Sequence, residues 1–166
     1  MYLCTVESHK HIFTMKTQID LNEKLSEHFT LREMVQSGTA VRMGIENQPT
    51  EADVERMRAL CLQVLEPMRR RFGVIRITSG YRCEALNKAV GGVSNSQHLR
   101  GEAADVHCSS VKSAKTMACY VKETLTFDQL LIERVLHNGC CWIHVSYVIE
   151  TKTRKNRKET RVLTKY

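Results

Sequence analysis

Several features that would mark a membrane, fibrous or collagen-like protein are missing from this sequence. Proline occurs only twice and aromatic residues make up 6% of the 166 residues, whereas hydrophobic residues make up 42%. No apolar run approaches the roughly 18 residues that a membrane-spanning helix needs. The composition therefore indicates a globular chain of one domain, with a core built mainly from aliphatic side chains.

The cysteines do not follow the pattern of a disulfide framework or of a cysteine zinc finger. There are seven of them, Cys140 and Cys141 are adjacent, and no pair has CxxC spacing. Stable disulfides belong to oxidising compartments, and cysteine zinc sites use closely spaced pairs. We therefore expect reduced thiols from synthesis in the cytoplasm.

The N-terminal stretch contains no apolar core segment and no small-residue cleavage site, so it does not resemble a secretory signal. Met15 can serve as the translation start, and residues 1–14 need take no part in the fold. We interpret residues 1–25 as an extension and residues 26–166 as a single domain. Without a signal peptide, the protein would act outside the cytoplasm only if something else releases it.

Positive charge is concentrated at the C-terminus. The net charge is +7, and against Glu159 alone the last sixteen residues carry Lys152, Arg154, Lys155, Arg157, Lys158, Arg161 and Lys165. Such a segment can attract a polyanion, for example an anionic cell-wall polymer, or it can be a solvated hairpin. Interleaved aromatics and nucleic-acid motifs are missing, so nucleic acid is not the favoured partner.

Capping patterns predict two helices in the first half of the chain. Thr30 and Glu33 have capping-box spacing and open a short helix that should end near Gly38, followed by a loop over residues 43–50. Thr50 and Asp53 repeat this spacing before a long amphipathic helix. Pro67 should kink or tighten its last turns, and Gly73 should end it.

The second half alternates between strand and helix patterns. We expect strands at 74–78, 103–108, 127–133, 142–148 and 160–164, and helices at 83–90 and 110–125. The strands at 127–133 and 142–148 should pair across a turn at 137–139. Helices first and strands later predict an α+β fold, with N-terminal helices packed on an antiparallel sheet.

One histidine and one aspartate are candidates for a metal centre. His98 and Asp105 lie seven positions apart, and a tight turn at Gly101 would let both side chains face one point. His144 stands in an otherwise apolar strand and is a candidate third ligand. A catalytic zinc site needs three protein ligands and a water, but a lone strand histidine is also common as a hydrogen-bonded core residue. The spacing alone leaves both readings open.

Five segments together resemble a known family. In order they are SGYRC, LNKAVGG, SQHLRGEAADV, FDQLLIE and WIHVSY, and they are similar to the zinc D-Ala-D-Ala carboxypeptidases, which are related to hedgehog-type and wall-lytic endopeptidase domains. The likeness covers roughly residues 26–165. It implies a hedgehog/DD-peptidase-like fold and one Zn²⁺ ion held by His98, Asp105 and His144. It also implies hydrolysis of the peptidoglycan stem peptide.

The resemblance also implies roles for residues around the metal. Arg82, in SGYRC, matches the arginine that receives substrate, and its planar guanidinium suits a carboxylate or a carbonyl near the cleaved bond. Arg82 would also stabilise negative charge during the reaction. Ser96 and Gln97 are expected to line the substrate cleft.

The general base is the point at which this chain departs from the family. Several relatives carry an acidic residue three positions before the last zinc histidine and a histidine two positions before it, where this chain has Cys141 and Trp142. The nearest acidic candidate is Glu133, which pairing of the two strands would bring close to the metal. We therefore predict Glu133 as the base, and we expect His107 and His137 to be structural or exposed.

Two other functions compete with a peptidase. The substitutions at Cys141 and Trp142 are compatible with a non-catalytic zinc-holding module of the hedgehog type, and the basic C-terminus with a polyanion-binding protein. Within the peptidase reading, a carboxypeptidase and an endopeptidase both remain open. A basic wall hydrolase without a signal resembles a phage lysin, and we expect it to be a monomer.

Overall fold

The computed structural model describes residues 19–136 and 139–165 and has the predicted α+β class. The helices are α1 (Leu31–Val35), α2 (Gly38–Met43), α3 (Glu51–Leu60), α4 (Glu66–Phe72), α5 (Glu84–Ala89) and α6 (Val111–Thr124). A π-helical turn covers Cys61–Leu65 and a 3-10 turn covers Gln97–Arg100. The strands are β1 (Ile77–Ser79), β2 (Ala103–Cys108), β3 (Gln129–Val135), β4 (Cys141–Ser146) and β5 (Glu159–Lys165).

Both predicted capping boxes are confirmed, at Thr30 and at Thr50. The predicted end of the first helix near Gly38 is wrong, because α1 ends at Val35 and Gly38 begins α2. The hydroxyl of Ser37 accepts a hydrogen bond from the Ala40 amide at 3.3 Å, and this cap starts the new helix. The helix α2 was not predicted, because a glycine at position 38 also fits the end of a helix.

The helix that follows runs through α3, the π turn and α4 to Gly73, which caps it with a φ of 78°. Pro67 has no amide hydrogen to donate, and the irregular turn lies directly before it. There the Glu66 amide donates to the carbonyl of Cys61, so the irregularity is a wide π turn rather than a tightened one.

The strands form one five-stranded sheet in the order β1-β2-β4-β3-β5. The pairs β1/β2, β2/β4 and β3/β4 are antiparallel, as predicted. The outer pair β3/β5 is parallel, so the expectation of an antiparallel sheet is wrong for β5. The reason is that the connection over 147–158 starts and ends at the same end of the sheet and passes β3 to reach its outer edge, so β5 is antiparallel to β4 and parallel to β3. The turn predicted at His137 and Asn138 lies outside the described residues.

Side chains alternate between the two faces of the sheet. One face contributes Val106, Ile143 and Val145 to the main core, where they pack with α6 and the long helix. Leu25 is also buried in this core, while the domain boundary at residue 26 stays a prediction. The opposite face carries the candidate site. Among the described residues, no helix is both long and apolar enough to cross a membrane.

Candidate metal centre

The 3-10 turn that carries His98 is held against the long helix by a glycine. Gly101 ends the turn in the left-handed conformation, with a φ of 68°. A Cβ at this position would lie 2.7 Å from the carbonyl oxygen of Asp53 and 2.8 Å from Cγ of Met57. Glycine is therefore required here both by the backbone conformation and by the close approach of α3. The predicted turn at Gly101 is confirmed.

The other two candidate ligands come from neighbouring strands. Asp105 of β2 is directly opposite His144 of β4, and directly opposed residues of an antiparallel pair point to the same face. His144 is in turn opposite Leu131 of β3. The register of the sheet therefore fixes the aspartate and the histidine side by side.

The three side chains predicted as ligands meet at one buried point. His98, Asp105 and His144 are 3%, 7% and 7% exposed. The Oδ1 atom of Asp105 lies 3.3 Å from Nε2 of His98 and 3.0 Å from Nδ1 of His144. The two nitrogens are 3.2 Å apart. One potential ligand atom from each residue thus lies within 4.8 Å of the others.

Hydrogen bonding directs the lone pair of His98 into this cluster. Its Nδ1 lies 2.6 Å from the carbonyl oxygen of Gly80, which can only accept, so Nδ1 carries the proton and Nε2 is left as an acceptor. Two imidazole nitrogens and a carboxylate oxygen therefore converge in a buried space. The lone pairs of these three atoms repel one another unless a cation or a proton lies between them. Two imidazoles and a carboxylate are a ligand set that suits Zn²⁺.

The carboxyl of Asp105 is held in its charged form. Burial by itself would raise its pKa, but when protons take the place of a cation in the cluster, the charge of protonated His98 and hydrogen bonds from His144 and His98 lower the pKa far below the ordinary range. The guanidinium of Arg82 also binds this carboxylate, with Nη2 2.8 Å from Oδ2. One carboxylate oxygen thus faces the histidines and the other faces Arg82.

Arg82 lies beside the candidate metal ligands and is held in place by the 3-10 turn that carries His98. Its backbone amide donates to the carbonyl of His98 at 3.0 Å, and its Nε donates to the hydroxyl of Ser79 at 2.8 Å. Ser96, also predicted in the cleft, caps the turn by accepting from the His98 amide at 3.4 Å. Arg82 therefore forms an ion pair with a candidate metal ligand, and substrate contact by Arg82 and Ser96 stays a prediction.

Gln97 points into the protein rather than lying open at the surface. It is 9% exposed, and its Nε2 donates to Oδ2 of the buried Asp128 at 2.9 Å. Its Oε1 is buried and has no hydrogen-bond partner within the described part of the chain. A substrate contact by Gln97 stays a prediction.

Two buried carboxylates next to the turn were missed by the sequence analysis. Asp128 binds Arg157, and Glu102 binds Arg154 through Oε1 at 2.5 Å and Oε2 at 2.8 Å. Burial would raise the pKa of Asp128, but hydrogen bonds from Arg157 outweigh this and lower it. Asp128 lies in the motif FDQLLIE, and Glu102 lies in the motif SQHLRGEAADV. Their place in these motifs was the only feature of the sequence that could have indicated a role for them.

Glu133 lies on the same face of the sheet as His144. It is opposite Trp142 and two residues from Leu131, the partner of His144, which puts it on a diagonal of about 7–8 Å from that histidine, within reach of a long side chain. Cys141 has the opposite parity and is buried in the core. A side chain at position 141 therefore points away from the cluster.

Two further histidines, His107 and His137, were expected to be structural or exposed. His107 is exposed on β2, which agrees with the expectation for it. His137 lies outside the described residues.

A second histidine–carboxylate group lies where the long helix meets the loop before α1. Glu27, His28 and the buried Glu66 have potential ligand atoms within 4.8 Å of one another. Glu66 accepts from the His28 amide at 2.8 Å and from His28 Nδ1 at 3.0 Å. The Oε2 of Glu27, an exposed residue, is 3.9 Å from the same Nδ1.

Comparison with known proteins gives one family. The family model described as peptidase M15 matches residues 27–146, a range that includes every residue predicted for the site. No curated protein sequence shows a significant match. Peptidases of this family are zinc-dependent, and the family expected from the motifs is confirmed. The match covers most of the chain, and the protein belongs to the peptidase M15 family.

Proposed function

We propose that this protein is a zinc-dependent peptidase that hydrolyses peptide bonds of the peptidoglycan stem peptide. The observation that carries the proposal is the meeting of His98, Asp105 and His144 at one buried point, where the acceptor nitrogen of His98 faces the carboxylate of Asp105 and the ring of His144. Membership of the M15 family supports the reaction class. The stem peptide as substrate rests on the motif likeness described above.

The acid–base step is assigned to Glu133. When bound, Zn²⁺ supplies Lewis-acid activation of a water molecule and of the scissile carbonyl. Glu133 accepts a proton as the water oxygen adds to the carbonyl carbon, and it returns this proton to the amine nitrogen as the C–N bond breaks. Glu133 lies on β3, the strand next to that of His144, and on the same face of the sheet, and this position supports the role.

Substrate orientation is assigned to Arg82, Ser96 and Gln97. The Arg82 guanidinium is anchored by Ser79 and Asp105, so it presents a fixed positive charge beside the metal ligands. A free C-terminal carboxylate would meet this charge in a carboxypeptidase, and a peptide carbonyl would meet it in an endopeptidase. Both substrates fit the proposal.

The proposal is tested with the variant Glu133→Gln, assayed on purified peptidoglycan by mass spectrometry. We expect it to keep one zinc per chain and to lose hydrolysis by at least about 100-fold, the size typical of a lost general base. The matched control is Glu123→Gln, which removes the same charge from an exposed position on α6. Release of free D-alanine indicates a carboxypeptidase, and new amines inside the peptide indicate an endopeptidase.

The same assay separates the peptidase from a non-catalytic zinc-holding module. A wild-type protein that binds zinc and leaves every stem-peptide bond intact would contradict the proposal. Unchanged hydrolysis in the Glu133 variant would assign the base to another residue.

Binding of an anionic wall polymer by the basic C-terminus is a separate part of the proposal. Arg154 and Arg157 already bind buried carboxylates, so only the remaining exposed cations are available for a polymer. Salt-dependent retention on an anionic wall polymer, reduced when Lys152 and Lys155 are replaced by glutamine, would support it.

A further inference from the structure

The segment between β4 and β5 reaches back to the turn that carries His98. Arg157 belongs to this segment, which lies beyond the stretch 27–146 that matches the family. Its guanidinium holds the buried Asp128, with Nη2 2.6 Å from Oδ2 and Nε 3.0 Å from Oδ1. The Arg157 backbone amide donates to the same Oδ1 at 3.0 Å. Both oxygens of Asp128 are therefore fixed from one side.

Asp128 in turn holds the residue directly before His98. Its Oδ2 accepts from Nε2 of Gln97 at 2.9 Å. Because a carboxylate cannot donate, the amide of Gln97 is fixed in one orientation, with nitrogen toward Asp128. The backbone carbonyl of Gln97 also accepts from the Glu102 amide at 3.1 Å, so the turn is tied down on both sides of His98.

The carboxylate end of this link is buried, although the Arg157 side chain is 57% exposed, and the buried end gives the link more weight than a surface ion pair. Asp128 is 3% exposed, and a buried carboxylate that loses its guanidinium keeps the cost of burial without compensation. Charge-assisted, two-pronged contacts of an arginine also fix direction, which a lysine does not reproduce. Loosening Asp128 would therefore loosen Gln97, and with it the His98 ring.

We propose that Arg157 is a positioning residue, which acts through Asp128 and Gln97 to hold His98 in the geometry that the metal requires. The proposal rests on the metal centre proposed above. It assigns a role in the site to a residue of the basic C-terminal segment and makes that segment part of the support of the metal ligand.

The test compares Arg157→Lys with Arg161→Lys. Arg161 is a matched control, because it comes from the same part of the chain, is similarly exposed (66% against 57%) and pairs with Glu159 as Arg157 also does, whereas the hydrogen bonds to Asp128 come from Arg157. Zinc affinity is measured by competition with a chelator, and ligand geometry by the visible absorption spectrum of the Co²⁺-loaded protein. We expect Arg157→Lys to weaken zinc binding about tenfold, the effect typical of an outer contact to a metal ligand, and to alter the Co²⁺ spectrum.

A double-mutant cycle shows whether the effect passes through Gln97. Gln97→Met removes the amide and leaves the contact of Arg157 with Asp128 in place, so this variant should fold even if an Arg157 variant does not. If Arg157 acts through Gln97, the double variant should bind zinc about as weakly as Gln97→Met alone.

Three results would overturn the proposal. They are an Arg157→Lys variant with the zinc affinity and Co²⁺ spectrum of the Arg161 control, additive effects in the cycle, and a Gln97→Met variant with unchanged zinc binding. A wild-type protein that binds zinc without hydrolysing peptide would contradict the peptidase function and leave this proposal standing, so the two failures can be told apart.

Discussion

Two histidine–carboxylate groups in this protein have similar spacing between their potential ligand atoms but differ in chemistry. In the group of Glu27, His28 and Glu66, the buried Glu66 accepts hydrogen bonds from the backbone amide and from Nδ1 of His28. Each of these contacts joins a donor to an acceptor. In the group of His98, Asp105 and His144, a ring nitrogen without a proton faces a carboxylate oxygen and a second histidine.

The difference teaches that proximity does not define a metal centre, whereas the direction of the lone pairs does. The carbonyl of Gly80 takes the proton-bearing side of His98 and leaves its acceptor side inward. Around Glu66, N–H donors already occupy the carboxylate oxygens, so a cation would have to displace them. The group of His98, Asp105 and His144 therefore has the chemistry of a metal centre, whereas the group of Glu27, His28 and Glu66 has that of a loop anchor.

The largest contrast is expected from removing one histidine of each group. We expect His144→Ala to lose bound zinc and to weaken zinc affinity by more than about 100-fold, since even an outer contact to a ligand is worth about 10–100-fold. His28→Ala should keep one zinc per chain. Metal analysis after dialysis measures both, and equal zinc loss in the two variants would remove the distinction.

A smaller effect is expected on stability from Glu66→Gln. The new amide would present a donor to a His28 N–H group, so we expect a loss of about 1–3 kcal/mol in the free energy of unfolding, with zinc content unchanged. Glu27→Gln is the control, because this side chain is 73% exposed and should change stability by less than about 0.5 kcal/mol. Urea unfolding measures both variants, and equal stability would show that Glu66 is not an anchor.

The smallest effect is expected in the acid dependence of stability. Burial would raise the pKa of Glu66, but hydrogen bonds from His28 outweigh this and lower it. A folded-state pKa below the unfolded value of about 4.3 stabilises the fold above that pH, and the contribution is lost as the pH falls through the folded value. The stability difference between wild type and Glu66→Gln should therefore shrink between about pH 5 and pH 3. A constant difference over this range would contradict a lowered pKa.

Local patterns in the sequence predicted local structure well. The capping boxes at Thr30 and Thr50, the glycine turn at Gly101 and the bounds of β2 all follow from neighbouring residues, and all are confirmed. The helix α2 was not predicted because a glycine can end a helix or can occupy the first helical position after a Ser cap, and Gly38 fits both patterns. Here the Ser37 hydroxyl decides between them.

Contacts between distant parts of the chain could not be predicted in the same way. The motifs predicted the meeting of His98, Asp105 and His144 through family likeness, since spacing alone left it open. No pattern indicated that β5 runs parallel to β3, or that Arg157 would reach Asp128 across 29 positions. The basic segment was interpreted as a surface patch because charge in a sequence carries no information about a buried partner.

The close approach at Gly101 has a consequence for engineering. Met57 and the carbonyl of Asp53 lie where a side chain at position 101 would be. The packing of the long helix against Gly101 therefore sets the position of the turn that carries His98. Repacking that helix for greater thermal tolerance would therefore also shift His98 and the candidate metal centre, although residues 53 and 57 lie more than forty positions from His98 in the sequence.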